Sequence, residues 1–271
     1  NGKTIDLHFE RFASLADQNV LGLRIQLTPI DFDGQIQIRG SIDGNPEDKD
    51  GFNPWLILDQ DYDEASSCLE VRTRSSHIKL GMAFKLAVYG TQARFRDISV
   101  PGFPTVEAKF NVVRGATFTV EKLVTVFTSR DVEHPIKTAC EKLQELPSYE
   151  ELRNHHEQAW EKIWYYSDIV IEGSTQAQLV LRYNIFQLLI SAPRHDNRVS
   201  IPAKTLSGFG YRGHIFWDTE FFILPFFVFT QPDIARNLLT YRYHTLEGAR
   251  RKAKYIGYRG AMYAWESAAT G

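Results

Sequence analysis

Cysteine, net charge and long apolar runs are all scarce in this sequence. Only Cys68 and Cys140 occur among 271 residues. Two cysteines cannot build a disulfide framework, so a reducing, cytoplasmic setting is expected. The formal charge is −2, from 31 Lys+Arg against 33 Asp+Glu, which argues against a general nucleic-acid binder. No uncharged apolar run approaches the length of a membrane span, so no membrane segment is expected. Residue 1 is Asn, and no basic stretch followed by an apolar one precedes the first alternating pattern, so no secretory signal is visible. The natural N-terminus is expected upstream of Asn1, and because the chain stops at Gly271 in sequence that reads as a site, a fragment is expected. What is plentiful is aromatic: 18 Phe, 12 Tyr and 5 Trp, many in the last third, where they can serve as core or as a sugar-binding surface.

At about 150 residues per domain the length allows roughly two domains. The first half reads as strands: 5–12, 20–27, 35–42, 55–58, 69–73, 78–89, 106–113 and 117–127 are rich in β-branched or aromatic residues and often alternate. Turn signals separate them, among them Asp33-Gly34, Asp43-Gly44-Asn45-Pro46, Asp50-Gly51, Pro101-Gly102 and Arg114-Gly115. Eight strands with no helical pattern between them predict an antiparallel β-sandwich over 1–130.

Then the period changes. Apolar residues at Ile136, Ala139, Cys140 and Leu143 predict a helix over 131–146. Ser148-Tyr149-Glu150-Glu151 is a capping box, and a second helix follows through Leu152, His156, Ala159, Trp160 and Ile163. These two helices read as a linker, 131–173. From 174 onward the chain is helical again. The stretch 176–191 is apolar on nearly every side and reads as buried all round. Another apolar helix spans 218–229, with Pro225 marking a kink or break. A third restarts at Pro232, and Gly248 is expected to bend or end it. Successive buried helices joined by aromatic, glycine-rich loops are the pattern of a concentric helical barrel.

Several chemistries fail on the residues. His155 and His156 are adjacent and cannot share a helix face, so no metal site is expected. No Gly-x-Ser-x-Gly elbow is present for a serine hydrolase. The letters Gly208-Phe209-Gly210-Tyr211-Arg212-Gly213 mimic a dinucleotide fingerprint but follow no predicted strand, so a plain loop is the better reading. Between residues 233 and 260 stand seven basic residues and two acidic ones. A solvated helix face with its basic cluster near a helix C-terminus accounts for them more simply than a nucleic-acid footprint.

The strongest signal is Tyr211-Arg212-Gly213-His214-Ile215-Phe216-Trp217-Asp218-Thr219-Glu220. Trp packs on the apolar face of a pyranose while an ionised carboxylate accepts hydrogen bonds from neighbouring hydroxyls. Trp265-Glu266 repeats the pairing. Each is equally readable as a core Trp beside a carboxylate that caps a helix, since Asp before an apolar helix is a common start.

A wider set of residues resolves the choice by resemblance. The stretch from Leu206 to Glu220, then Leu224-Pro225-Phe226-Phe227, Thr230-Gln231-Pro232, Ile234-Ala235-Arg236-Asn237-Leu238-Leu239, Tyr241-Arg242-Tyr243-His244-Thr245-Leu246 and Gly260-Ala261-Met262-Tyr263-Ala264-Trp265-Glu266-Ser267 closely resembles glycoside hydrolase family 65. Arg11-Phe12-Ala13-Ser14-Leu15-Ala16-Asp17 also looks like that family's N-terminal domain. Phe209, Ala264 and Ala269 depart from residues common in the family and leave fine specificity open.

The resemblance implies a β-sandwich (1–130), a helical linker (131–173) and the first part of an (α/α)6 barrel (174–271), an all-β region followed by an all-α one. It implies that Trp217 and Asp218 contact a non-reducing glucose, with Trp265, Glu266 and Ser267 near it. It implies an inverting α-glucosyl disaccharide phosphorylase that needs no cofactor, uses inorganic phosphate as co-substrate, and commonly forms homodimers. A family hydrolase of the acid trehalase kind, or a noncatalytic sugar-binding module, remains the alternative. The family's general acid, a Glu in Gly-Pro-Asp-Glu, has no counterpart here. Residues 175–271 number 97, while twelve helices of about 11 residues with their connections need roughly 200. The acid is therefore expected beyond Gly271, and this chain alone is expected to be inactive.

Overall fold

The computed structural model describes residues 2–46, 51–205 and 210–268. Asp50 of the Asp50-Gly51 turn signal, Leu206 to Phe209 of the glycine-rich loop, and Ala269 lie outside the described residues. The chain divides into two compact units, Asn1–Trp160 and Glu161–Gly271.

In the first unit, strands β1 (Ile5–Ala13), β2 (Val20–Pro29), β4 (Trp55–Asp63), β5 (Ser66–Thr73), β6 (Lys79–Tyr89) and β9 (Phe118–Thr128) form an antiparallel sheet in the order β1-β2-β9-β6-β5-β4. Strands β3 (Gly34–Ser41), β7 (Ala93–Asp97) and β8 (Thr105–Val112) form a second sheet, β3-β8-β7. Their inner faces meet in two apolar clusters, one joining Leu69, Phe84 and Leu86 to Val106 and Ala108, the other joining Leu27, Phe118 and Val120 to Phe110 and Val112. This is a β-sandwich. The sequence predicts eight of its nine strands. The missing strand, β7, has five residues and only Phe95 as a large apolar side chain, and β4 runs to Asp63 rather than stopping near residue 58, past a bulge between Ile57 and Asp59.

Strand β6 is buried on both faces, and its side chains alternate accordingly. Phe84 and Leu86 enter the sandwich, while Ala83 faces helix α1 (Pro135–Glu145), where Ala139 and Leu143 join Cys68, Leu123 and Tyr149 in a third cluster. Helix α1 thus adds a layer to the large sheet. It starts at Pro135 rather than at residue 131, because a proline suits the first helical turn. Helix α2 (Tyr149–Ser167) opens with the capping box the sequence shows: Ser148 N–H donates to Glu151 Oε2 (3.0 Å) and Glu151 N–H to Ser148 Oγ (3.3 Å).

The second unit holds α3 (Thr175–Ser191), a two-residue strand β10 (Ile215–Phe216), a π-helical turn (Thr219–Ile223), α4 (Leu224–Thr230), α5 (Pro232–His244), α6 (Leu246–Tyr255) and a two-residue strand β11 (Glu266–Ser267). Two expectations are corrected here, and one is met. Helix α3 is not buried all round: Ile185 and Leu189 are buried, while Leu179, Val180, Tyr183 and Ile190 are exposed, because no described element covers that side. The helix expected over 218–229 breaks beside Pro225, as the proline predicts, into a π-helical turn and α4. Gly248 lies inside α6 and bends nothing. The break falls at Thr245, whose N–H and hydroxyl both take carbonyls of the last turn of α5.

Candidate functional site

The site begins with a turn of unusual backbone. Tyr211, Arg212 and Gly213 have φ of 59°, 49° and 76° in succession, a left-handed run that costs two non-glycine residues about 1 kcal/mol each. His214 N–H closes the turn on Tyr211 O at 2.8 Å. The result delivers Tyr211 edge-on to Phe216, with ring centres 5.2 Å apart.

Strand β10 then pairs antiparallel with β11, Ile215 opposite Ser267 and Phe216 opposite Glu266. This short ribbon brings the two aromatic-carboxylate pairs together from positions about fifty residues apart. Trp217 and Trp265 stand edge to face with ring centres 5.5 Å apart, and Phe216 supports Trp265 at 5.9 Å. Neither indole is core: Trp217 is 38% exposed and Trp265 54% exposed. The reading of these residues as core tryptophans is therefore wrong.

The capping reading of Asp218 also fails. Its backbone is already helical (φ −52°, ψ −35°) and its side chain makes no cap hydrogen bond. No described residue pairs with this exposed carboxylate. Glu266, by contrast, is engaged: its Oε1 lies 2.7 Å from His214 Nδ1. The other two letters of the Trp-Asp-Thr-Glu motif point inward. Thr219 is buried and its hydroxyl donates to Ile201 O (3.0 Å), and Glu220 accepts from Arg242.

Arg242 is the residue the sequence reading placed wrongly, among the basic residues of a solvated face. It is 8% exposed. Its guanidinium donates to both oxygens of Glu220, to Ser267 Oγ (2.9 Å) and to Phe216 O (3.2 Å), while Tyr241 and Tyr263 lie 5.5 and 6.0 Å from its charge. One side chain on α5 thus fixes both strands of the ribbon and the π-helical turn. A signal for this was present: Ile234, Leu238, Arg242 and Thr245 follow helical spacing, and an arginine on an apolar stripe requires a buried partner. Elsewhere the solvated-face reading holds, since Arg250, Arg251, Lys252 and Lys254 of α6 are exposed, with Lys252 and Lys254 in the last turn.

His156 accepts the Leu15 N–H at Nδ1 (3.1 Å). No group of three or more His, Cys, Asp or Glu side chains converges among the described residues, and no described helix is long and apolar enough to cross a membrane. The chemistry on offer is two exposed indoles at the rim of a fixed ribbon, an unpaired carboxylate beside one of them and an imidazole-bound carboxylate beside the other. Such a surface stacks on a ring and accepts hydrogen bonds from its hydroxyls.

Comparison with known proteins agrees in two separate stretches. The profile of the glycosyl hydrolase family 65 N-terminal domain matches residues 1–163, and that of the family 65 central catalytic domain matches 182–271. A kojibiose phosphorylase of Halothermothrix orenii is 38% identical, covering 100% of this chain and 36% of that protein. A nigerose phosphorylase of Lachnoclostridium phytofermentans is 35% identical, covering 98% of this chain and 38% of that protein. A solved chain from the human microbiome, provisionally named a kojibiose phosphorylase, superposes with a TM-score of 0.88 over 100% of this chain and 36% of its own at 23% identity, a likeness of fold. The chain spans about a third of the length of the curated relatives it matches.

Proposed function

Because this chain belongs to glycosyl hydrolase family 65, we propose that it supplies the sandwich (1–130), helical linker (131–173) and first part of the (α/α)6 barrel (174–271) of a cytoplasmic, inverting phosphorylase of α-linked glucose disaccharides. The observation that carries the reading is the juxtaposition of Trp217 and Trp265 beside the unpartnered Asp218 carboxylate. A pyranose stacked on an indole there offers its hydroxyls to Asp218, and Glu266, held by His214, lies within the same ribbon. The names of the relatives favour phosphorolysis over hydrolysis and over a purely binding role.

In such an enzyme a carboxylic acid protonates the glycosidic oxygen while phosphate attacks the anomeric carbon from the opposite face, giving β-glucose 1-phosphate and the released sugar. The acid belongs to a segment beyond Gly271, so this chain's residues bind and orient the glucose and transfer no proton. Phosphate is the co-substrate and no cofactor takes part. The whole protein is a homodimer, as is frequent in the family.

The test is to incubate the whole enzyme with kojibiose, nigerose, maltose or trehalose and phosphate, and to assay glucose 1-phosphate against free glucose. Glucose 1-phosphate in step with sugar release is expected, and free glucose alone despite added phosphate sinks the proposal. The chain 1–271 should give neither product, since a missing general acid alone costs about 100- to 10,000-fold.

A further inference from the structure

The two cysteines, separated by 72 positions, meet in the first unit. Cys68 lies on β5, opposite Ala83 on β6 and Asp61 on β4, and Cys140 lies on α1. Both pack in the cluster beneath α1, and both line one cavity of about 330 Å3 at the junction of α1 with β4 and β5. Cys68 is buried and Cys140 half-buried. The pair plays no part in the sugar site, which lies in the other unit.

From this juxtaposition we propose that Cys68 and Cys140 form a reversible dithiol–disulfide site, oxidised by exchange with a cationic low-molecular-weight disulfide that enters the shared cavity. The order of attack follows from the different burial of the two thiols. Cys68 is buried, and the neighbouring Cys140 together with that burial holds its thiol above the ordinary range, whereas Cys68 holds the half-buried Cys140 thiol below it. The thiolate is the attacking species, so Cys140 leads.

Its thiolate attacks one sulfur of the incoming disulfide, whose S–S bond breaks and releases one small thiol. Cys68 then gives its proton to solvent and attacks the Cys140 sulfur, releasing the second small thiol. Two protein thiols and one small disulfide become one protein disulfide and two small thiols, with no other oxidant or reductant.

The preference for a cation comes from the lining. Asp61, Asp63 and Glu141 face the cavity with no Lys, Arg or His among its lining residues. Lys137 pairs with Glu141 at 3.7 Å, with both side chains largely exposed to solvent. Asp61 and Glu141 also oppose the Cys140 thiolate by charge, so a positively charged disulfide relieves a repulsion that an anionic one increases.

Intact mass and free-thiol counts after treatment with cystamine, a dicationic disulfide, test the site. The wild-type chain is expected to lose both thiols and two hydrogens of mass, with no adduct retained. Cys68→Ala should keep one cysteamine on Cys140, and Cys140→Ala should react at least about tenfold more slowly. Oxidised glutathione, which is anionic, should react severalfold more slowly than cystamine at low salt, with the gap closing as salt is added. Two stable adducts on the wild-type chain, no reaction, a Cys140→Ala chain that reacts at the wild-type rate, or equal rates for the two disulfides would each overturn the proposal. Should Cys68→Ala not fold, the wild-type mass alone separates an internal disulfide from an adduct.

Discussion

The guanidinium of Arg242 grips the carboxylate of Glu220 through two parallel contacts, Nε to Oε1 at 2.9 Å and Nη2 to Oε2 at 2.7 Å. The same planar group has donors left for Phe216 O and Ser267 Oγ, so three segments of the second unit converge on one side chain.

Replacing Arg242 by Met should therefore do more than remove a charge. It leaves the Glu220 carboxylate without its partner and the Phe216 carbonyl and Ser267 hydroxyl without a donor. A loss of about 3 kcal/mol is expected, the range for breaking one side of a buried pair. Lysine, which keeps the charge but not the fork, should recover only part. Denaturant titration followed by tryptophan fluorescence measures both.

Asp218→Asn separates two energies. A lost cap costs about 0.5 to 2 kcal/mol of stability, but Asp218 caps nothing. Its replacement should leave the melting temperature near wild type and lower kcat/KM of the whole enzyme about 10- to 150-fold, the range for a charged hydrogen bond to a substrate hydroxyl. Trp217→Ala should lower kcat/KM comparably through lost stacking. If Asp218→Asn melts several degrees early yet keeps kcat/KM within about threefold, the sugar role assigned to Asp218 is wrong.

Gly81 is required by proximity. A Cβ added there lies 2.2 Å from Pro135 C and Ile136 N and 2.5 Å from Pro135 O. These are backbone atoms of the first turn of α1, which cannot step aside as a side chain can. Gly81→Ala should cost about 3 kcal/mol or more and loosen α1 from the sheet. Thermal melting gives the size of the loss, and hydrogen exchange at 136–145 shows where it falls.

His156 makes the first unit sensitive to mild acid. Burial lowers its pKa from 6.5, with the charge of Glu157 opposing in part. The ring sits against Phe12, and its Nδ1 accepts the Leu15 N–H, which it can do only while unprotonated. The unfolded chain thus binds this proton more readily than the folded one. The stability His156 contributes is fully present above pH 6.5, falls as the pH drops toward the folded value, and levels off below it. Stability measured between pH 7 and 5 should show this slope in wild type and a flatter one in His156→Gln.

Much of the sandwich was legible because burial writes itself into alternation. Strand β6 shows this, with Phe84 and Leu86 on one face and Ala83 on the other. The capping box of Ser148 and Glu151 was equally readable, since its bonds are local. Burial of α3 was misread because an all-apolar pattern states what a helix needs and not whether anything covers it. Trp217, Asp218, Trp265 and Glu266 were legible as two aromatic–carboxylate pairs, but their assembly was not. Two-residue strands are too short to show a period, and no local pattern records that Ile215 pairs with Ser267. Arg242 was hidden by composition, counted with the surface cations of α6 although its spacing put it on the buried stripe.

The ribbon of β10 and β11 also fixes an order of events during synthesis. Trp217 leaves the ribosome with α4, α5 and α6 still to come, and its partner surface arrives only with Trp265 and Glu266. Closing a loop of about fifty residues costs on the order of 3 kcal/mol more than closing one of two, and two backbone pairs cannot offset that alone. The nascent chain must first fold α5, so that Arg242 is in place to catch both strands.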